Sequence, residues 1–197
     1  ELVGARSYAR AVQIDAPDGS TAQGWMRIED TVVDYPVMKS SEDDPEFYLH
    51  RSFNKDDSSS GCLFVGAGCT VDSNCFIVYG HHMQSGCMFG DLENFNEKSF
   101  AKKHDPVLIT IDGKRTYKVF TSWYEDLSQG TEYRYWDQVG DLSKKKWNKH
   151  IRTIEKKGLY DTGVDVEYGD NIMMLSTCSY GTSEQRFIVA CVETGRG

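Results

Sequence analysis

Residues 171–192, with the sequence NIMMLSTCSYGTSEQRFIVACV, decide what kind of sheet this chain builds. Two short, uninterrupted apolar runs, at 172–175 and 187–192, are typical of buried β-strands, and the polar stretch between them predicts a loop. If the two strands pair, Cys178 faces Arg186. A guanidinium does not lose its proton, so at this place it can stabilise a thiolate or hydrogen-bond an oxyanion. The pair is a candidate nucleophilic site that still lacks a base.

A candidate base lies about a hundred residues upstream. Residues 76–83 (FIVYGHHM) form a β-rich run that ends at a glycine and two histidines. Histidine exchanges protons near neutral pH, and a Cys/His pair is a recurrent arrangement for covalent catalysis. Taken singly, a lone cysteine is usually a small buried hydrophobe, and a histidine at a strand end is usually solvated or structural. Their joint occurrence with Arg186 predicts a nucleophilic active site.

Several segments match the pattern of one known family. Residues 174–178 (MLSTC) match the strand end that carries its cysteine, except that Met174 stands where threonine is usual, and residues 79–92 (YGHHMQSGCMFGDL) match its histidine region. Three N-terminal segments agree in order and spacing, namely 24–28 (GWMRI), 31–37 (TVVDYPV) and 47–50 (FYLH). In these segments the chain resembles the class B sortases, and the resemblance covers roughly residues 20–193.

The resemblance implies a cysteine transpeptidase that cleaves a sorting signal, Asn-Pro-x-Thr-like or Pro-x-Thr-Gly-like, in secreted proteins. Cys178 would be the nucleophile, His81 the acid and base, and Arg186 the group that stabilises the oxyanion. An amine of a peptidoglycan cross-bridge or stem peptide would resolve the thioacyl intermediate. His81 is preferred to His82 because the family motif places its histidine directly after the glycine, and because neighbouring side chains on a strand point to opposite faces.

Four further residues are candidate substrate-binding groups. Ser176 and Thr177 carry small hydroxyls beside the nucleophile, which can bind a substrate backbone, although structural hydrogen bonding explains them equally well. Tyr79 and Leu49 are expected to line the groove by resemblance alone. The resemblance also implies an N-terminal membrane anchor outside this chain, on the extracellular face of the plasma membrane of a Gram-positive bacterium. The partners would be surface proteins that carry the sorting signal, and peptidoglycan.

Length and composition fit one compact enzyme domain. The chain has 197 residues, of which 39% are hydrophobic and 12% aromatic, and this is enough for one continuous core. We expect an N-terminal helical segment in residues 1–20 and a single catalytic domain in residues 21–197. The net charge of −8 argues against a nucleic-acid partner, which requires a basic surface. The sequence as given predicts no membrane span and no export signal, because it lacks a run of about 18 apolar residues and a signal-peptide pattern.

The rest of the chain up to about residue 139 is predicted to be mainly β. Short β-like runs alternate with turns, at 25–28, 31–37, 62–65, 75–79, 107–111 and 116–124. Asp112-Gly113 is the predicted hairpin turn between the last two runs. The spacing predicts a closed or nearly closed β-barrel, and the resemblance implies a sortase-like closed barrel.

One segment, at about 141–157, predicts a long helix before the cysteine strand. Its apolar residues approximate one helical face, namely Leu142, Trp147, Ile151 and Ile154. Asp141 or Ser143 can cap the start of this helix, and Gly158 can end it. Its lysines are interpreted as a solvated face rather than as a binding site for an anionic polymer. By resemblance, this helix borders the substrate groove.

The six cysteines predict neither a metal site nor a cofactor. Cys178 must remain a free thiol if it is the nucleophile, and Cys191 lies in an apolar run as a packed hydrophobe. The spacing of Cys62, Cys69 and Cys75 lacks the Cys-x-x-Cys element of zinc sites. One local disulfide among these three stays open, and the state of Cys87 is not decided by the sequence.

Two other functions are compatible with parts of the pattern. A chymotrypsin-like cysteine protease also places histidine before cysteine in a β-barrel, but it usually has glycines beside the nucleophile, and it has no use for Arg186. A non-catalytic secreted β-barrel adhesin would contain Cys178 merely as a packed residue. Titration of the reactivity of Cys178 separates the adhesin from an enzyme, because a packed thiol resists alkylation.

Overall fold

The computed structural model describes residues 21–40, 42–128, 133–178 and 184–197. The N-terminal helical segment expected in residues 1–20 lies outside the described residues. Most of the loop expected between the cysteine strand and the arginine strand also lies outside them.

Eight strands close into a barrel, which confirms the predicted mainly β fold. The strands are β1 (Thr21–Ile28), β2 (Asp34–Lys39), β3 (Leu63–Val65), β4 (Cys75–Tyr79), β5 (Pro106–Thr110), β6 (Gly113–Asp126), β7 (Ile172–Cys178) and β8 (Gln185–Arg196). Around the barrel the order is β1-β2-β3-β4-β7-β8-β6-β5, and β5 pairs with β1 to close it. The pairs β2–β3 and β4–β7 are parallel, and the other pairs are antiparallel.

The predicted strand positions are confirmed, with small differences at their ends. The β5–β6 hairpin forms where Asp112-Gly113 predicted a turn, but Gly113 already pairs with Thr110, so the turn itself is Ile111-Asp112. Gly113 has φ +125°, a conformation that favours glycine, which explains the signal in the sequence. The strands β4, β7 and β8 have continuous apolar runs because both of their faces are buried.

The described residues form few helices, and each helix lies in a connection between two strands. Two are α-helices, α1 (Lys98–Ala101) and α2 (Lys144–Lys157), and three are short 3-10 helices, at Phe47–Leu49, Leu92–Asn96 and Tyr135–Asp137. α2 is the long helix predicted before the cysteine strand, although it begins at Lys144 rather than at 141. Residues 141 and 142 precede the helix, with Ser143 at the N-cap position and Gly158 at the C-cap position.

The buried face of α2 is the apolar face that the sequence predicted. Trp147, Ile151 and Ile154 are buried against the barrel, and Leu142 is buried just before the helix starts. Most of the lysines of α2 are exposed, in agreement with a solvated face. Gly158 ends the helix close to the barrel, since a Cβ there would lie 2.1 Å from the Thr121 hydroxyl oxygen.

His150 is a buried polar residue on the same face of α2. Its Nδ1 lies 2.8 Å from the hydroxyl of Tyr133, and its Nε2 lies 3.6 Å from the Cys75 Sγ. Burial lowers the pKa of His150 to about 4, because charging the ring would place an unsolvated cation between the helix and the barrel. The imidazole is therefore neutral at physiological pH and serves packing.

The five cysteines whose side chains the structure describes are free thiols. Cys62, Cys69, Cys75 and Cys191 are buried, and burial raises the pKa of all four, that of Cys62 to about 12. Cys87 is half-buried. In the described segments no cluster of side chains could hold a metal ion, and no helix is both long and apolar enough to cross a membrane.

Candidate active site

Cys178 and Arg186 occupy directly opposite positions in the sheet. β7 pairs with β8 in antiparallel register, and Cys178 is the partner of Arg186 at the end of the ladder. Directly opposed residues of an antiparallel pair have Cα atoms about 4.5–5.5 Å apart. The strand pairing that the sequence predicted is confirmed.

His81 reaches the same place from the other side of β7. β4 runs parallel to β7 with Tyr79 opposite Ser176, and the Gly80 N–H donates to the Ser176 carbonyl at 3.2 Å. His81 therefore follows Tyr79 by the same two residues that separate Ser176 from Cys178. Neighbouring strands lie about 4.8 Å apart. The backbone positions of His81 and Arg186 thus lie on either side of the Cys178 position.

A glycine precedes His81 because the end of β4 packs closely on its neighbours. A Cβ on Gly80 would lie 2.4 Å from Leu63 Cδ2 and 2.6 Å from Phe89 Cδ2. Any side chain would separate β4 from this packing and displace the residue that follows it. The Gly-His signal in the sequence therefore has a steric cause.

A backbone carbonyl orients the imidazole of His81. The Nε2 atom lies 2.8 Å from the Leu49 carbonyl oxygen, at the end of the short helix Phe47–Leu49. A carbonyl only accepts hydrogen bonds, so Nε2 carries a proton and Nδ1 is the atom that can exchange one. Gly61 packs on the same carbonyl with φ +59°, and a Cβ there would lie 2.5 Å from the Leu49 oxygen.

His82 points away from His81, as the alternation of side chains predicted. Its side chain is 2% exposed, and its Nδ1 lies 3.5 Å from a carboxylate oxygen of Glu93. Its backbone forms a bridge with Met88. His82 therefore holds the segment after β4 to the barrel, outside the groove.

A groove of about 670 Å³ gathers the predicted site residues whose side chains are described. It is lined by all six of them, namely His81, Arg186, Ser176, Thr177, Tyr79 and Leu49. Burial raises the pKa of Tyr79, and the positive charge of Arg186 offsets part of that effect, so Arg186 brings its charge to this groove. The groove combines a cation, an oriented imidazole and hydroxyl groups beside the Cys178 position.

A model of the sortase domain matches residues 26–194 of the chain, which is most of its length. The chain belongs to the sortase family. Sortase B of Listeria monocytogenes is 30% identical to it over 159 residues, which make up 79% of this chain and 61% of that protein. Sortase B of Staphylococcus aureus is 27% identical over 173 residues, or 84% of this chain and 67% of that protein. The matched region thus spans about three fifths of the Listeria relative and two thirds of the Staphylococcus relative.

The fold comparison agrees with this assignment. The X-ray structure of a mutant form of Clostridium perfringens sortase B superposes with a TM-score of 0.82 at 27% identity, covering 97% of this chain and 88% of that one. The resemblance to class B sortases is therefore confirmed, and the chymotrypsin-like alternative is wrong. The roles of individual residues in this sortase remain predictions.

The two hydroxyls next to the Cys178 position have different environments in this sortase. The Ser176 Oγ lies 3.0 Å from the Tyr135 hydroxyl, so Ser176 is engaged in a buried structural pair. The Thr177 side chain is also buried, with the residue 3% exposed, but its Oγ1 has no hydrogen-bond partner among the described residues. A buried hydroxyl without a partner is costly, and Thr177 is therefore the better candidate to bind a substrate.

One wall of the groove was not predicted from the sequence. It comprises Trp136, which lies in the short helix Tyr135–Asp137, and Val139, which follows that helix. Arg134 stacks over the Trp136 ring, with its guanidinium carbon 5.2 Å from the ring centroid. These residues lie in connecting segments with no apolar periodicity, so no pattern in the sequence marks them.

Proposed function

We propose that this chain is a class B-type cysteine transpeptidase. It would cleave a sorting signal in secreted proteins, Asn-Pro-x-Thr-like or Pro-x-Thr-Gly-like, and transfer the protein to an amine of peptidoglycan. The observation that carries the proposal is the register that brackets the Cys178 position between Arg186 and the Gly80-His81 end of β4. Family membership supports the same chemistry.

In the first half-reaction, the thiolate of Cys178 attacks the carbonyl carbon of the scissile amide. The bond to sulfur forms while the carbonyl oxygen gains negative charge, and the Arg186 guanidinium stabilises that oxyanion by donating hydrogen bonds. His81 as imidazolium keeps its Nε2 proton on the Leu49 carbonyl and gives its Nδ1 proton to the departing amine. The carbon–nitrogen bond breaks, and a thioester to Cys178 remains.

In the second half-reaction, an incoming amine attacks the thioester. Neutral His81 takes a proton from the amine at Nδ1, a new amide bond forms, and the thiolate of Cys178 leaves. Water can replace the amine and release a free acid instead. The net reaction is transpeptidation, and no cofactor takes part in any step.

The groove supports an extended peptide as the acyl donor. Its lining includes the apolar or aromatic side chains of Leu49, Tyr79 and Trp136, and the polar side chains of His81, Thr177 and Arg186. Thr177 would donate to or accept from the substrate backbone there. We infer that residues 21–197 form the catalytic domain and that a membrane anchor outside this chain holds the full-length protein on the outer face of a Gram-positive plasma membrane.

Intact-mass spectrometry tests the proposal. The protein is mixed with a panel of Asn-Pro-x-Thr and Pro-x-Thr-Gly peptides, with and without triglycine or diaminopimelate. We expect a mass gain equal to the N-terminal peptide fragment, located on Cys178 and discharged by the amine. Cys178→Ala is the negative control.

The other outcomes are informative as well. A protein that forms no adduct with any peptide, and whose Cys178 resists alkylation, would refute the transpeptidase and favour the adhesin. Arg186→Lys keeps the positive charge but loses the planar fork of donors. It should therefore acylate far more slowly than the parent chain while Cys178 still alkylates.

A further inference from the structure

Glu125 is a buried carboxylate in line with the proposed active site but outside its groove. The residue is 3% exposed and lies near the end of β6. β6 pairs with β8 in antiparallel register, with Glu125 directly opposite Arg186, as Cys178 is on the other side. The three positions form one row across β6, β8 and β7. Side chains directly opposed in an antiparallel pair share a face, with Cβ atoms about 4.5–5.5 Å apart.

Two donors fix the carboxylate of Glu125. The Trp123 indole Nε1–H donates to Oε2 at 3.0 Å, and the Lys157 ammonium donates to Oε1 at 3.1 Å. Lys157 is the last residue of α2, and its side chain is 35% exposed. With both oxygens engaged, the carboxylate is fixed near the strand position opposite Arg186.

Together with Lys157 of α2, which binds Glu125, this row carries charges that alternate in sign. Lys157 is positive, Glu125 is negative and Arg186 is positive, and the next position is that of the proposed thiolate. Neighbouring charges of opposite sign attract more strongly in a partly buried row than in water. The described titratable and charged groups that face Glu125 are Lys157 from α2, Arg186 from β8 and the phenol of Tyr133.

A second line of contacts joins Glu125 to the floor of the groove. The Trp123 ring that binds the carboxylate meets the edge of the Tyr135 ring, with centroids 6.2 Å apart. The Tyr135 hydroxyl in turn lies 3.0 Å from the Ser176 Oγ. The carboxylate is thus connected to the active-site row both through the sheet register and through buried aromatic side chains.

We propose that Glu125 is a positioning residue whose negative charge orients the Arg186 guanidinium at the oxyanion position during acyl transfer. This inference rests on the proposed function of Cys178 and Arg186. Glu125 does not touch the substrate, and its effect on the reaction passes through Arg186. The competing explanation is that Glu125 only ties α2 to the barrel through Lys157.

A double-mutant cycle between Glu125 and Arg186 separates the two explanations. Glu125→Gln removes the charge and keeps the shape, and Arg186→Gln removes the group through which it would act. We expect Glu125→Gln to lower the rate of Cys178 acylation about tenfold with Arg186 present, mainly in kcat, and less than twofold in the Arg186→Gln background. Equal losses in both backgrounds would overturn the proposal.

Lys157→Gln is the matched control. It breaks the tie between α2 and Glu125 but leaves the carboxylate opposite Arg186, so acylation should change less than threefold. A tenfold loss in this variant, equal to that of Glu125→Gln, would favour the structural explanation. If Glu125→Gln does not fold, Glu125→Asp keeps the charge at a shorter reach and enters the same cycle.

The pH dependence of Cys178 alkylation by iodoacetamide provides a readout that needs no peptide. Removing the negative charge at Glu125 favours the thiolate, so the midpoint should move down by about half a pH unit, whereas Lys157→Gln should move it slightly up. An unmoved midpoint in Glu125→Gln would count against the proposed row of charges. If the parent chain forms no peptide adduct at all, the proposed function fails, and this midpoint still decides whether Glu125 acts on the site.

Discussion

Acidification should weaken the fold measurably through a single side chain, His150. The ring is buried between α2 and the barrel, and its pKa falls from 6.5 to about 4 on folding. Between these two values the unfolded chain binds a proton that the folded chain does not. Stability is therefore lost as the pH falls through this window, and it is fully present above pH 7.

The size of the effect follows from the separation of the two pKa values. At about 1.4 kcal/mol for each pH unit, the complete loss is about 3.4 kcal/mol, of which about 2.4 kcal/mol falls between pH 7 and pH 4.5. Carboxylates also lose stabilising interactions in this range, so the parent chain alone does not isolate the contribution of His150. A variant that cannot titrate at this position is required.

His150→Gln is the informative variant, because its amide stays neutral and can still pair with the Tyr133 hydroxyl. Urea unfolding followed by tryptophan fluorescence at pH 7 and pH 4.5 gives the loss of unfolding free energy for each protein. The parent should lose about 2.4 kcal/mol more than the variant. His50→Gln, at an exposed histidine, should behave like the parent. Equal losses in the parent and in His150→Gln would refute the reasoning.

Four other substitutions each predict a change in stability and a change in acylation, and only for Gly61→Ala do the two fall together. Thr177→Val removes a buried hydroxyl without a described partner, so it should raise the unfolding free energy by about 1 kcal/mol while peptide acylation falls severalfold, as measured by thermal melting and intact mass. Gly61→Ala should lower both stability and acylation. A φ of +59° is strained for alanine, and the new methyl group presses on the Leu49 carbonyl that orients His81. Unchanged acylation would show that this carbonyl is unimportant for the reaction. His82→Ala should cost about 1–3 kcal/mol of stability because a buried side chain is lost, yet keep most acylation, whereas His81→Ala should abolish acylation with little loss of stability.

Much of the barrel was predictable because its strands carry strong local signals. The runs in β4, β7 and β8 are apolar and short, Gly113 marks a hairpin, and the buried face of α2 repeats with helical spacing. The opposition of Cys178 and Arg186 followed from a single assumption of strand pairing. These features depend on residues that lie near one another in the sequence.

Other features depend on contacts that local patterns do not encode. From the sequence alone, several strands could lie beside β7. Only the closed barrel places β4 there, in the parallel register that aligns Tyr79 with Ser176. Trp136 and Val139 line the groove because of the path of the connection between β6 and α2, and Glu125 lies opposite Arg186 because of the register of β6 with β8. The start of α2 was placed three residues early, because residues 141 and 142 continue the polar–apolar pattern without being helical.

The parallel pairing of β4 with β7 also has a consequence for the order in which the chain becomes active. Tyr79 and Ser176 are about a hundred residues apart, so their ladder is a non-local contact that forms slowly, whereas β7 and β8 are neighbours in the chain and can pair early. A folding intermediate with the β7–β8 hairpin would contain Cys178 and Arg186 but not His81. Such an intermediate would carry a thiol that can be alkylated but could not complete acyl transfer, so the onset of transferase activity during refolding would report the closure of the barrel.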